Sequence, residues 1–422
     1  MRLFFGKLLS LKQSEFRLLA LSFGFIFVLF SSYALLRPMR DALGLEGGKD
    51  ELKWLFLATF VSCIIASLVL MWLSTRIRRR FYTDFVFVFF ALNLIGFFVA
   101  MNAFETKSVE FVWLARVFYV WVSIFNLFAF SSAWSLIADI FSKEASQRLF
   151  GIIAAGASLG SIAGASSVKI FANLIGASNL VFASVVLLLL GVVLKNLMIK
   201  ELGKLEDGVN LARFDKTIGA KNPFVGFTLI AKSPYLLALC AFVLLLTSVS
   251  TFLYMEQARI VREAFATREA RMAAFANIDL VVQISALIIQ IFLTAKIAQF
   301  FKLTALLGVL GFVICASFVV LIFTHPAFLP LAVVMSVRRV GEYALVKPGR
   351  EMLFVPLSSD EKYKVKSFID TVIYRGGDAL WAQFESLLAS VSITLVLGVG
   401  AFVSFVWGLL GVFLGKKYEK TT

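Results

Sequence analysis

The sequence predicts an all-α membrane protein of about twelve transmembrane helices, arranged as two pseudo-symmetric, six-helix halves. Hydrophobic residues make up 60% of its 422 residues and charged residues only 16%, whereas soluble domains are about one-quarter charged. Uncharged runs such as Leu18–Leu36 and Trp54–Leu73 have the ~20-residue length that an α-helix needs to cross the hydrocarbon layer. Strands of transmembrane β-barrels read as short alternating segments, so these continuous runs favour helices.

Each predicted span is a long apolar run bounded by polar or charged residues. The predicted spans are residues 16–36, 53–74, 82–102, 110–138, 149–174, 178–198, 235–257, 273–296, 303–323, 327–355, 364–391 and 392–414. An even number of spans places both ends of the chain on one side of the membrane.

Basic residues are concentrated in alternate connections. They cluster in the turn Arg76–Arg80, in the connection 199–234 and at the end Lys416–Lys420. The positive-inside rule therefore predicts a multi-pass protein of the bacterial inner (cytoplasmic) membrane with both termini in the cytoplasm. Most of the excess behind the +15 net charge lies in these connections, so membrane topology accounts for it and no nucleic-acid partner is predicted.

The central basic connection divides the chain into two similar halves. The predicted units are an amino-terminal half at 1–198, a cytoplasmic connection at 199–234 and a carboxyl-terminal half at 235–422. A shift of about 219 residues aligns Arg37 and Arg40 with Glu256 and Arg259, at the ends of the first and seventh spans. Parallel duplication of six spans is how transporters of the major facilitator type are built, with the solute held between the halves.

The tenth span has the strongest candidate site, because charge at bilayer depth is costly and is a functional candidate by default. Spacings of four, four and three residues predict one polar helical face, formed by Arg339, Tyr343, Lys347 and Arg350. Arg338 lies one turn from Glu342 and can pair with it. The surplus cations predict an anionic ligand in a water-filled cavity. The alternative is that Glu342, Glu351 and acids on other helices neutralise every cation.

The first and fourth spans show milder versions of this pattern. The fourth span has a polar face formed by Arg116, Tyr119, Ser123 and Asn126. The first span ends in Arg37, Pro38, Arg40 and Asp41, and its proline can interrupt the helix and leave backbone groups free for solute. Arginines at span ends also serve as anchors that extend to the interface, so Arg37 has two interpretations.

The eleventh span contains charges that are placed to pair with one another. Lys366 can pair with Asp370, and Arg375 can pair with Asp378, because each pair has helical spacing. These charges are predicted either to hold a gate or to contact the ligand, and the pair at Lys366 and Asp370 is predicted to be a gate. In the fifth span the small-residue run Gly156, Gly160 and Gly164 predicts close helix packing.

Several classes of chemistry are disfavoured. The three cysteines, Cys63, Cys240 and Cys315, lie singly in apolar runs without metal-ligand spacing, and the only histidine, His325, lies in a short connection. The sequence has no phosphate-cradling Gly-Lys-Ser/Thr loop, so ATP hydrolysis is not the predicted energy source. No cofactor and no enzyme activity are predicted. The alternatives are an intramembrane lipid-acting enzyme that uses Glu342 or Asp370, and a scaffold or sensor that transports nothing.

Two motifs resemble the bacterial and plastid ATP/ADP translocase family of nucleotide transporters. They are Tyr33-Ala-Leu-Leu-Arg37-Pro-Met-Arg40-Asp41 and the block from Lys347-Pro-Gly-Arg350-Glu351 to Asp378. The resemblance covers all twelve spans and implies a major-facilitator-like fold with nucleotide exchange, in which basic residues contact phosphates. The first motif is similar to that of free-living bacterial relatives, since it lacks the lysine form associated with parasite and plastid exchangers.

Residues and resemblance together predict a transporter that moves a phosphate-bearing anion by alternating access. Nucleotide exchange is the first prediction, and a sugar phosphate, carboxylate, siderophore or cell-wall fragment is the alternative. The predicted substrate-binding residues are Arg37, Arg40, Arg116, Asn126, Arg338, Arg339, Tyr343, Lys347 and Arg350. The predicted gating or charge-pair residues are Asp41, Glu256, Arg259, Glu342, Glu351, Lys366, Asp370, Arg375 and Asp378. The expected partners are this solute and the lipid bilayer, and the functional form is expected to be a monomer.

Overall fold

The structure is a computed structural model of the chain, and it is helical in every long element. It describes residues 16–48, 51–106, 108–141, 143–205, 214–217, 226–292, 302–354, 365–366 and 368–421. The helices that occupy the first six predicted spans are α1 (Phe16–Leu43), α2 (Glu51–Arg76), α3 (Arg79–Ala103), α4 (Val109–Ile140), α5 (Lys143–Ile175) and α6 (Ala177–Leu205).

The second six predicted spans are also occupied by helix, and two of these helices are irregular. The regular ones are α7 (Pro234–Ala264), α8 (Arg268–Phe292), α9 (Leu303–Thr324) and α12 (Ile393–Thr421), with a short helix Gly226–Lys232 ahead of them. The segment α10 joins Phe328–Gly341, the π-helical turn Glu342–Val346 and Lys347–Met352. The segment α11 joins the π-helical turn Ile369–Ile373 to Tyr374–Val391.

Within the described residues, 10 helices are long and apolar enough to cross a membrane by length and composition. The exceptions are α10 and α11, the two segments that contain π-helical turns. The regular piece of α10 has only 14 residues, and the regular piece of α11 carries Arg375, Asp378 and Glu385 in 18 residues. The predicted all-α membrane fold is confirmed. The two predicted spans that do not meet these criteria of length and composition are those with the most charged residues.

The chain forms two compact units. Unit 1 comprises Met1–Leu43, Leu68–Ala220 and Phe275–Leu280, and unit 2 comprises Gly44–Ser67, Lys221–Ala274 and Val281–Thr422. These units do not follow chain order throughout, because α2 and α8 each contribute residues to both. The predicted boundaries at 198 and 235 stay a prediction.

Each unit contains the same set of helix pairings. In unit 1, α1 packs against α4, α5 and α6, and α3 packs against α4 and α6. In unit 2, α7 packs against α10, α11 and α12, and α9 packs against α10 and α12. When α1 to α6 are matched in order with α7 to α12, every one of these pairings has its counterpart. A duplicated six-helix array would produce this correspondence.

The first helix is longer and more regular than the sequence predicts. It continues through Pro38 to Leu43 as one α-helix, so the predicted interruption at Pro38 is wrong. Beyond the predicted end at Leu36, Arg40 donates two hydrogen bonds to its neighbour Asp41, so the two charges compensate each other. The helix thus delivers both charges to the polar cluster described below.

Glycines on α5 allow α1 to approach closely, as the sequence predicts. A Cβ atom at Gly160 would lie 2.3 Å from the Phe27 carbonyl oxygen, and one at Gly156 would lie 2.8 Å from the Phe23 carbonyl oxygen. The Ser31 hydroxyl also donates a hydrogen bond of 3.0 Å to the Gly160 carbonyl oxygen. The seam is therefore backbone against backbone, which leaves no room for a side chain.

Replacing Gly160 by alanine should destabilise unit 1 by about 1–3 kcal/mol, the usual cost of overpacking, because its Cβ would meet backbone that cannot rotate away. Gly151→Ala on the same helix is the matched control, since nothing lies within 4 Å of a Cβ there. We expect that control to be neutral or stabilising by up to ~1 kcal/mol through helix propensity. Thermal unfolding of both variants in detergent tests this, and equal midpoints would contradict it.

Candidate functional site

A polar cluster in unit 1 joins the end of α1 to the middle of α4. The Arg40 Nε and Nη2 atoms donate to Asp41 Oδ1 at 2.9 and 2.6 Å. The Arg40 guanidinium also lies 5.0 Å from the centre of the Tyr119 ring, and its Nη1 donates to the Ser123 hydroxyl at 3.4 Å. Asp41, Tyr119 and Ser123 are all buried. The structure thus brings together the predicted polar residues of the first and fourth spans around Arg40.

Two other predicted residues of the fourth span lie in different environments. The Asn126 amide donates to the Tyr33 hydroxyl at 3.2 Å, which places Asn126 against α1. The Arg116 guanidinium instead lies 4.5 Å from the centre of the Trp113 ring on its own helix. Predicted substrate contacts for both residues remain predictions.

The Arg37 side chain has an acidic partner that the sequence analysis missed. Its Nη1 atom lies 3.6 Å from Asp279 Oδ1, and Asp279 is only 8% exposed. Asp279 is the only acid within the eighth predicted span, 273–296, so the rule that marks intramembrane charge as functional would have identified it. Arg37 is therefore more than an interfacial anchor.

In unit 2, the middle of α10 is rich in buried cations. Arg338 and Arg339 are 6% and 5% exposed, and Arg338 Nη1 lies 2.9 Å from Glu342 Oε2. This confirms the predicted pairing one helical turn apart. Glu342 begins the π-helical turn, and such turns are frequent at functional sites.

The π-helical turn of α10 lies among the residues that the sequence places on one helical face. Its hydrogen bonds join residues five apart instead of four, and it contains Tyr343 and directly precedes Lys347. Arg339 and Arg350 are buried, whereas Lys347 is exposed. The Lys347 ammonium lies 5.5 Å from the centre of the Tyr343 ring. Lys347 thus differs from the two arginines in its exposure, and a single polar face formed by all four residues stays a prediction.

Charges at the end of α10 and the start of α11 form a network, with partners that differ from the predicted ones. Arg350 Nη2 lies 3.1 Å from Asp370 Oδ1 and 3.8 Å from Glu351 Oε1. Lys366 Nζ lies 2.6 Å from Glu351 Oε2. The predicted pair of Lys366 with Asp370 is thus wrong, because Lys366 pairs with Glu351 and Asp370 pairs with Arg350, both residues of α10. The network ties α10 to α11 within unit 2.

Further along α11, a carboxylate is held by two neighbours. Arg375 Nη1 lies 3.9 Å from Asp378 Oδ2, which confirms the predicted pairing at helical spacing. The Thr251 hydroxyl of α7 donates to Asp378 Oδ1 at 3.3 Å. Asp378 is 9% exposed, so it is a buried acid that links α11 to α7.

The end of α7 holds a buried ionic cluster, of which the sequence analysis identified only Glu256 and Arg259. Arg259 pairs with Glu256, and its Nη2 lies 2.8 Å from Glu385 Oε1. His325 Nε2 lies 2.7 Å from Glu256 Oε1. Glu256 and Glu385 are 1% and 0% exposed. Glu385 and His325 were not predicted because their partners lie far from them in the sequence. Glu385 is nevertheless an acid within a predicted span, so the rule that marks intramembrane charge as functional would have identified it.

Comparison with known proteins identifies a family model, described as Major Facilitator Superfamily, that matches residues 17–346. No curated protein matches the sequence. A crystal structure of a POT family transporter in complex with a thioalcohol-conjugated peptide is similar, with a TM-score of 0.70, 13% identity and coverage of 97% of this chain and 99% of that chain. A POT family transporter in complex with 5-aminolevulinic acid has a TM-score of 0.69 at 13% identity, covering 95% of this chain and 96% of that chain.

A third similar structure, the peptide transporter POT in complex with sulfate, has a TM-score of 0.68 at 13% identity and covers 96% of this chain and 95% of that chain. At this identity the likeness shows the fold alone.

These findings correct the predicted resemblance to ATP/ADP translocases, which neither the family model nor these structures support. The motif block that starts at Lys347 also has a structural role that does not depend on a nucleotide, because Arg350 and Lys366 pair with acids of the same unit. Since the family model covers well over half of the sequence, the chain belongs to the major facilitator superfamily and is a multi-pass membrane transporter, not an enzyme.

Proposed function

We propose that the chain is a secondary transporter that moves a small organic solute with an anionic group, a carboxylate above all, across a bacterial inner membrane. Lys347 carries this proposal. Its ammonium is exposed, lies over the Tyr343 ring and forms no ion pair with any carboxylate of the described residues. An exposed cation within a transporter helix, held against an aromatic ring, can attract an anion and release it again.

Unused hydrogen-bond donors on neighbouring arginines support an anionic solute. In the described part of the chain, the buried Nε atoms of Arg338 and Arg350 have no hydrogen-bond partner. Buried polar groups are nearly always paired in proteins, and exceptions call for an explanation such as a ligand or water. Guanidinium groups suit carboxylate and phosphate oxygens, because their donors form a planar fork.

Acids beside these cations favour a solute that also carries an amino group. Glu342 and Asp370 lie within 3.1 Å of arginine nitrogens in the same unit. A solute with both signs of charge can replace such pairs without leaving either partner uncompensated. The similar folds were solved with 5-aminolevulinic acid and with a conjugated peptide, which agrees with this chemistry. Sugar phosphates, siderophores and cell-wall fragments remain the alternatives for the same site.

Uptake by purified protein in liposomes tests the proposal. The solute panel pairs each compound with a version that lacks the anion: an amino acid with its amide, a dipeptide with its amide, and a sugar phosphate with its sugar. We expect saturable uptake of at least one anionic compound and at least tenfold less of its neutral version. Equal uptake of both versions would contradict the anion site, and no uptake of any compound would contradict the proposed class of solute.

We further propose that Asp370 acts in gating, through Arg350. Asp370→Asn should change the inward-to-outward population by no more than about fivefold, because exposed ion pairs contribute only about 0.2–1 kcal/mol and the Asp370 side chain is 41% exposed. The dissociation constant for the solute should stay within a few-fold after correction for that shift. Accessibility labelling of cysteines at both mouths, together with direct binding, measures the two effects.

The matched variant for Asp370→Asn is Glu351→Gln, which removes the partner of Lys366 and the longer, 3.8 Å contact of Arg350, and leaves the Arg350 contact with Asp370 in place. If Asp370→Asn abolishes binding and leaves labelling unchanged, Asp370 belongs to the binding site and the gating assignment is wrong.

A further inference from the structure

The turn between α2 and α3 presents a cluster of exposed arginines on unit 1. Arg76, Arg78 and Arg80 are exposed, and none of them pairs with a carboxylate of the described residues. Arg79 differs, because its Nη1 lies 3.3 Å from Asp139 Oδ1. Three guanidinium groups within five residues therefore have no acid to neutralise them in the part of the chain that the structure describes.

Part of the long connection between α6 and α7 lies beside this turn and adds a fourth cation. This part comprises residues Phe214–Thr217, and its Thr217 forms a β-bridge with Arg78. The Arg79 N–H donates to the Lys216 carbonyl oxygen at 3.0 Å, and the Phe214 ring is buried. Lys216 is exposed. The backbone bridge thus holds Lys216 close to the arginines.

An aromatic stripe continues from the arginines along α3. Phe81, Phe85 and Phe89 are spaced four residues apart, so they follow one face of the helix, and Arg78 is the residue that precedes its first turn. The three phenylalanines are 52%, 46% and 48% exposed. Cations at one end and exposed rings along the same face match the two parts of a phospholipid, whereas a soluble anion would need only the cations.

A tryptophan on the neighbouring helix α2 indicates how deep the cations lie in the bilayer. Trp72 is 58% exposed, and the Arg76 guanidinium lies 5.8 Å from the centre of its ring. Tryptophan is enriched at the membrane–water interface, so Arg76 lies at headgroup level. The basic turn is on the cytoplasmic side in the topology that the sequence predicts.

We propose that Arg76, Arg78, Arg80 and Lys216, with the stripe Phe81–Phe89, form a binding site for an anionic phospholipid of the cytoplasmic leaflet. We name it the α2–α3 lipid site. The cations bind the phosphodiester oxygens through charge-assisted hydrogen bonds, and an acyl chain lies along the phenylalanine rings. Bound lipid thereby joins α2, α3 and the 214–217 segment.

Thermal unfolding of the detergent-purified chain during a titration with phosphatidylglycerol tests this site. We expect phosphatidylglycerol to raise the midpoint in a saturable manner, since a ligand that binds the folded state stabilises it. Phosphatidylcholine, glycerophosphate and inorganic phosphate should have little effect. The triple variant Arg76→Gln, Arg78→Gln, Arg80→Gln should weaken the apparent affinity roughly 100-fold, given that each basic residue contributes to binding of anionic lipid.

The matched control removes three exposed lysines elsewhere, through Lys200→Gln, Lys232→Gln and Lys416→Gln, and should keep the wild-type affinity. An equal loss in this control would show diffuse attraction and overturn the site. An equal effect of glycerophosphate would show a soluble-anion site and overturn the lipid assignment. If the triple variant does not fold, Arg78→Gln alone provides the test, with several-fold weaker binding expected and unchanged binding contradicting the proposal.

Discussion

Replacing Lys347 by glutamine is expected to weaken solute binding by about 10- to 100-fold, since hydrogen bonds to charged groups contribute about 1.5–3 kcal/mol. Lys347 is exposed and pairs with no described carboxylate, so the substitution leaves no buried acid without its partner. The substitution should therefore raise the dissociation constant for the solute and leave the unfolding midpoint unchanged. Direct binding of the best solute from the uptake panel, with thermal unfolding of the same preparation, measures both.

Two variants separate the charge at Lys347 from other causes. Lys347→Arg keeps the cation and should retain most of the affinity, within about tenfold because its geometry differs. Lys232→Gln removes an exposed lysine from the short helix before α7 and should bind as the wild type does. Unchanged binding by Lys347→Gln would remove the main support for the anion site.

The sequence predicts the local part of this structure well. Run length and charge locate the helices, and the glycines of α5 predict the close seam with α1 that Gly160 confirms. The pairs Arg338 with Glu342 and Arg375 with Asp378 are also predictable, because each lies within one turn of one helix. In all these cases the residues involved recur at the regular spacing of a single α-helix.

Contacts between distant helices are not predictable from spacing. Arg37 meets Asp279, and Arg259 meets Glu385, only because folding brings remote spans together. The predicted partner of Lys366 is wrong for the same reason. Helix spacing predicts Asp370, whereas packing against α10 brings Lys366 to Glu351. The sequence contains many acids, and helix spacing alone does not identify which of them pairs with a given cation.

The π-helical turn in α10 is a feature that the sequence pattern does not predict. A pattern of 3.6 residues per turn assumes a regular α-helix, whereas the hydrogen bonds of Glu342–Val346 span five residues. This turn lies between Arg339, which is buried, and Lys347, which is exposed.

Replacing Arg259 by alanine should destabilise the chain by about 3–5 kcal/mol, the cost of removing one partner from a buried ion pair. The loss is expected to be large because Arg259 neutralises two carboxylates, and the Glu256 and Glu385 side chains are 2% and 0% exposed. His325 contacts the other oxygen of Glu256, whereas Glu385 has Arg259 as its ion-pair partner in the described residues. The unfolding free energy in detergent measures the effect.

A second substitution distinguishes an uncompensated charge from lost packing. Glu385→Gln in the Arg259→Ala background removes one of the two acids left without a cation, so it should restore part of the lost stability, whereas the same change alone should destabilise. The matched control is Arg262→Ala, one turn further along α7, because Arg262 pairs with no described carboxylate. If the double variant is as unstable as the two losses added together, the guanidinium acts through its volume and hydrocarbon stem, and the electrostatic account of the cluster fails.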